Sequence, residues 1–271
     1  MKYFALVLLL ILPIASCSRE PEPPVEVFSQ EQFPSREIMY GGKMNRYRIY
    51  VPQERMPSEA LPVMLYLHGS EERGTDNEGQ LSGPAASITS TPKNFPFVIV
   101  FPQCPPGRFW DAEMINLANA ELDQTIRELG LDDSRIYLAG FSLGGYGVWS
   151  AAAMSPTKFA AIVPMSGRLF PRPAERSAVS PNVLALADEV DPFRAFASTL
   201  KDVPIWIFHG AQDPVVPVSN SRKMAKALSD VGNRNFTYTE LPATGHVSLP
   251  EAFSDAELFR WLALEKARPV A

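Results

Sequence analysis

The sequence predicts an α/β fold: a doubly wound, mostly parallel β-sheet with helices on both faces and no large lid. Three observations carry this. Short apolar runs rich in branched residues alternate with longer amphipathic stretches along most of the chain. Several of those runs are apolar at nearly every position, as strands covered by helices on both faces must be. Such alternation makes β-α-β units in a parallel sheet the economical arrangement.

The chain opens on MKYFALVLLLILPIASCS, a single lysine followed by an apolar run and then small residues. That is the layout of an export signal, and the run is too short to span a membrane. Ile14-Ala15-Ser16-Cys17 resembles the bacterial lipobox, which implies removal of residues 1–16 and lipidation of the Cys17 thiol. Residues 17–35 are rich in Pro and Glu and poor in periodic apolar residues, so they read as a tether between lipid and domain. The folded domain is expected over residues 36–271.

Within it, strands are predicted at 47–51, 62–68, 97–102, 135–140, 160–166, 204–209 and 236–241. Ile115, Leu122, Ile126 and Leu129 share one helical face; Met224, Ala227, Leu228 and Val231 form another, and Leu258, Trp261 and Leu262 a third. The span 168–200 is short and Pro-rich, leaving little material for a lid. Ligands of such folds bind beyond the carboxyl ends of the strands. Here those ends read His68-Gly69-Ser70, Gly140-Phe141-Ser142, Ser166-Gly167 and His209-Gly210, with Gly245-His246 after the last strand.

Composition narrows the field. The chain has 271 residues, 46% of them hydrophobic, and 25 Lys+Arg against 30 Asp+Glu without a basic run. This suits one domain and gives no electrostatic footprint for nucleic acid. Two cysteines exclude a disulfide framework once Cys17 is set aside, and Cys104, flanked by prolines in PQCPPG, reads as buried and inert.

Gly140-Phe141-Ser142-Leu143-Gly144 fits the nucleophile elbow G-x-S-x-G between a predicted strand and a predicted helix. Glycines two before and two after the serine remove side chains that would collide in a tight turn. A serine needs a base, and the base needs an acid to orient it. Of three histidines, His246 lies in a loop after the last strand, where a base belongs in the order Ser, acid, His. His68 and His209 end apolar strands and read as loop-shaping residues. Asp213, just past a strand end, is the preferred acid, with Asp188 and Asp191 as competitors. The amides of Ser70 and Leu143 are the expected oxyanion donors. Glu71, Glu72 and Arg73 read as a solvated loop.

With HGSEERG, GFSLGG, HGAQDPVVP and TGH in this order, the chain resembles the α/β-hydrolase family. More narrowly, it is similar to exported esterases of the phospholipase/carboxylesterase, feruloyl-esterase and polyhydroxybutyrate-depolymerase-like group. That resemblance, over most of residues 45–265, implies Ser142 as nucleophile, His246 as base and Asp213 as acid. It also implies that Trp110, after PQCPPGRF, lines the substrate pocket. The expected activity is cleavage of carboxylic esters, small or polymer-linked, without metal or organic cofactor. A serine peptidase with the same triad and a non-catalytic envelope binding protein are the alternatives. The expected location is the bacterial cell envelope, with the chain held to a membrane by lipid on the periplasmic side or at the outer membrane.

Overall fold

The computed structural model describes residues 32–52, 60–91 and 95–266. The signal segment, Cys17 and residues 18–31 of the predicted tether lie outside the described residues.

One sheet organises them. Its strands are β1 (Ser35–Tyr40), β2 (Lys43–Tyr50), β3 (Val63–Leu67), β4 (Val98–Phe101), β5 (Ile136–Phe141), β6 (Ala161–Met165), β7 (Ile205–Gly210) and β8 (Phe236–Leu241). Their spatial order is β1-β2-β4-β3-β5-β6-β7-β8. β1 and β2 are antiparallel to their neighbours, and every other pairing is parallel. The sequence misses β1. It is an edge strand whose exposure alternates residue by residue, so it lacks the continuous apolar signature of β3 and β4, buried along their whole length.

The period of two along the strands divides the core. Val63, Leu65 and Leu67 of β3 face one way, into a layer that holds Leu122 of α2 (Ala112–Leu129), Trp149 of α3 (Leu143–Met154) and Met224 of α6 (Ser219–Asp230). Met64 and Tyr66 face the other way, into a layer with Ile88 of α1 (Pro84–Ser90), Phe253 of α7 (Leu249–Ser254) and Phe259 of α8 (Ala256–Leu264). The predicted doubly wound sheet is what the chain adopts.

Local chemistry fixes the helix ends. Asp111 caps α2 by accepting the Met114 amide at 3.0 Å, and Gly130 ends it with φ +61°. The span 168–200 forms a further pair of short helices, α4 (Pro181–Ala187) and α5 (Pro192–Thr199), which bury Val183 and Phe196 in the core. Phe33, placed in the tether by composition, is fully buried against Tyr50 and Phe101, and its carbonyl accepts from Arg48 at 2.9 Å. Packed structure thus begins before the predicted boundary at residue 36.

Candidate active site

Ser142 stands between the end of β5 and the start of α3, with φ +55° and ψ −111°, a conformation rare for a residue with a Cβ. The glycines around it explain how the turn closes. A Cβ on Gly140 would lie 2.6 Å from the Gly144 carbonyl oxygen, and one on Gly144 would lie 1.8 Å from the Leu67 carbonyl oxygen of β3. Helix and strand backbones meet here without room for a methyl group. The Ser142 amide donates to the Met165 carbonyl at 2.9 Å, which ties the turn to β6. Leu143 begins α3, so its own N–H has no carbonyl one turn earlier to bond and forms part of the positive end of the helix dipole.

His246 arrives from the loop after β8. Its Nε2 lies 2.8 Å from Ser142 Oγ, and its Nδ1 lies 2.7 Å from Asp213 Oδ2. A carboxylate can only accept at neutral pH, so Nδ1 carries the proton and the Nε2 lone pair faces the serine hydroxyl. Asp213 itself is fully buried at its side chain. Burial alone would raise its pKa, but the bond to His246 and the Val216 and Val215 amides outweigh it and hold the carboxyl below its ordinary value. Those two amides reach Oδ1 at 2.9 and 2.8 Å. Asp188 and Asp191 are elsewhere: Asp188 pairs with Arg176 at the surface, and Asp191 caps α5 through the Arg194 amide.

Residues outside the predicted set hold this line in place. His209 Nε2 lies 3.1 Å from Asp213 Oδ2 and 3.0 Å from the Val216 carbonyl oxygen. Both neighbours are acceptors, so Nε2 carries the hydrogen and Nδ1 accepts from Ser221 Oγ at 2.7 Å. Burial lowers the His209 pKa, which keeps the ring neutral. Behind His246, the buried hydroxyls of Ser166 and Ser248 meet at 2.7 Å and fasten the histidine loop to the end of β6. No sequence motif announces either contact.

On the other side, His68 is neutral, its pKa lowered to about 4 by burial. Its Nε2 accepts the Cys104 amide at 2.9 Å and its Nδ1–H donates to the Gly69 carbonyl at 2.6 Å. The expectation that Trp110 lines the pocket is corrected: its side chain is fully buried, its indole N–H donates to the His68 carbonyl at 3.0 Å, and it packs beneath Gly147. Its large apolar body fills the core under the loop that follows β3. Cys104 is buried too, with its thiol pushed up to about 12 first by burial, so it is chemically inert.

A cleft of about 570 Å³ opens over Ser142 and His246. Ser70, one of the two expected oxyanion donors, lines it as well, whereas Leu143 is not among its lining residues. Phe141, Val215, Val247, Leu249 and Pro250 make the wall largely apolar, and residues 168–200 contribute nothing to it. Comparison with known proteins now has a geometry to attach to. Residues 110–261, more than half of the chain, match the phospholipase/carboxylesterase family. The chain belongs to that family. Membership places it among the esterase-type serine hydrolases.

Among relatives, a bifunctional acetylxylan esterase/xylanase of Neocallimastix patriciarum is 28% identical over 172 residues, covering 62% of this chain and 21% of that protein. Acyl-protein thioesterase 1 of Gibberella zeae is 29% identical over 144 residues, covering 53% and 52%. The chain therefore spans about half or less of the length of these two relatives. Among solved structures, a thermostable esterase superposes with a TM-score of 0.70 at 28% identity, over 87% of this chain and 64% of that one. A fluorophosphonate-binding serine hydrolase of Staphylococcus aureus gives 0.63 at 15% identity, a likeness of fold alone.

Proposed function

We propose that this esterase-type hydrolase cleaves carboxylic esters through an acyl-enzyme formed on Ser142. The observation that carries the reading is the continuous line from Ser142 Oγ to His246 to Asp213 at 2.8 and 2.7 Å. Ser142 Oγ attacks the ester carbonyl while His246 Nε2 takes its proton. Asp213 stabilises the imidazolium that forms, and the Leu143 and Ser70 amides receive the oxyanion. The imidazolium then protonates the leaving alcohol, and water attacks the acyl-enzyme with His246 again as base. The relatives named as esterases and a thioesterase support acyl transfer from oxygen or sulfur.

Labelling with a fluorophosphonate probe and hydrolysis of 4-nitrophenyl butanoate test this together. Wild type is expected to label and turn over. Ser142→Ala is expected to label not at all and to lose about 10,000-fold or more in kcat, the scale of removing a triad member. A folded wild type that does neither refutes the reading.

The same proposal keeps the chain in the cell envelope, anchored by a lipid on Cys17 as its lipobox resemblance implies. Mass spectrometry of the mature N-terminus checks it, and an unmodified, unprocessed residue 17 would count against it.

A further inference from the structure

The catalytic cleft carries two carboxyl groups and, among the described residues, no lysine or arginine in its lining. Arg73, next to them in the chain, turns away: its guanidinium donates to the Ser70 and Arg108 carbonyls. Glu71 is exposed at the rim and accepts from Ser70 Oγ at 3.2 Å. Glu72 is partly buried, not the freely solvated residue its sequence context suggests.

The position of Glu72 is well fixed. A Cβ on Gly69 would lie 2.9 Å from Glu72 Oε2 and 3.6 Å from the carbonyl oxygen of Phe141, the residue before Ser142. A Cβ on Gly83 would lie 3.8 Å from Glu72 Oε1 and 3.7 Å from Leu249 Cδ1. The carboxyl therefore lies between the backbone at Gly69, next to the β3 end, and that at Gly83, both beside the cleft. Glu72 and Ser142 line the same cleft, so a substrate at Ser142 shares that space with the carboxyl.

We infer that Glu72, assisted by Glu71, is a specificity determinant that admits neutral and cationic esters and turns away esters whose groups entering the cleft are anionic. This rests on the proposed ester cleavage and names the substrate class for it. An anionic substrate group must be desolvated beside a carboxylate with no cation to offset it. A cationic group gains a partner there. At a separation of about 6 Å and partial screening, the Coulomb penalty on an anionic group is worth roughly tenfold. Burial pushes the Glu72 carboxyl above its ordinary value, so the comparison is made at pH 8, which favours its ionised form.

Two sets of esters matched in size and differing in charge test the inference. On the acyl side they are the 4-nitrophenyl esters of 4-(trimethylammonio)butanoate, 5,5-dimethylhexanoate and 4-sulfobutanoate. On the alcohol side they are the butanoates of 2-(trimethylammonio)ethanol, 3,3-dimethylbutanol and 2-sulfoethanol. In at least one set, kcat/KM is expected to follow cationic ≥ neutral > anionic, with the last gap about tenfold. That gap should shrink in 1 M NaCl, a readout that needs no variant. Glu72→Gln is expected to close most of it, and Glu71→Gln a smaller part. The same esters bound to Ser142→Ala, with Kd from calorimetry, should give the same order without turnover. If that order holds while wild type hydrolyses nothing, the reaction proposal fails and Glu72 keeps its role. If anionic and neutral esters behave alike in both sets, or the gap survives both Glu→Gln changes and high salt, the inference is overturned.

Discussion

Two histidines end strands in the same dipeptide, His68-Gly69 and His209-Gly210, yet the structure uses them oppositely. His68 accepts at Nε2 from the Cys104 amide, whereas His209 donates at Nε2 to Asp213. The deciding partner of His68 lies 36 residues away in the chain, and that of His209's other nitrogen lies 12 away, so strand-end context could not separate the two roles. Ser142 is legible in a motif whose spacing reflects its own geometry, and Asp213 and His246 in their places past strand ends in the order Ser, acid, His. By donating to Oδ2 while the Val215 and Val216 amides hold Oδ1, His209 fixes the carboxylate plane that orients His246. Replacing it with Leu is expected to lower kcat/KM about 10- to 100-fold with little change in KM, because Asp213 then rotates and the His246 tautomer is less firmly held. His209→Gln, which keeps an N–H donor at similar reach, should recover most of that loss. Steady-state kinetics on the pair decide it: equal defects in both would reduce His209 to packing.

At the scale of elements, the parallel strands could be read from composition because burial on both faces demands unbroken apolar runs. The missed elements fail that test for physical reasons. β1 is half solvated, and α1, α4 and α7 have only 6 or 7 residues, fewer than two turns in which to display a period of 3.6. What the elements must do at the site is arrive at fixed separations, and glycines set these. A Cβ on Gly210, at the end of β7, would lie 1.9 Å from the Gly245 carbonyl oxygen and 2.4 Å from that of Thr244. Asp213 and His246 therefore reach each other because β7 and the His246 loop touch through bare backbone. Gly210→Ala must push that loop outward by an ångström or more, and such displacements typically cost about 100-fold in rate. The expected result is a folded enzyme with kcat down about 100-fold, measured beside a circular-dichroism melt; unchanged kcat would mean the loop relocates without cost.

At the scale of the whole molecule, one poorly accommodated carboxyl group among the described residues lies away from the active site. Glu121 sits in the middle of α2 with its side chain buried, and its Oε2 has no hydrogen-bond partner. Burial holds its pKa well above the ordinary carboxyl value of 4.5. Its folded-state pKa is raised, so folding takes up a proton at any pH between the unfolded and the folded pKa. The resulting penalty is absent below the unfolded pKa and grows as pH climbs from there toward the folded pKa. Asp213 has the opposite sign: its depressed pKa stabilises the fold above its unfolded value and is lost only as pH falls through the acid range. Between pH 5 and 9, Asp213 is therefore constant while Glu121 is not. Glu121→Leu, similar in volume and free of the proton requirement, is expected to melt a few degrees above wild type at pH 7. The difference between the two should widen as pH rises within that window. Melting curves at pH 5, 7 and 9 decide it: a gap that stays constant or narrows with pH would show that Glu121 is ionised and satisfied inside the fold.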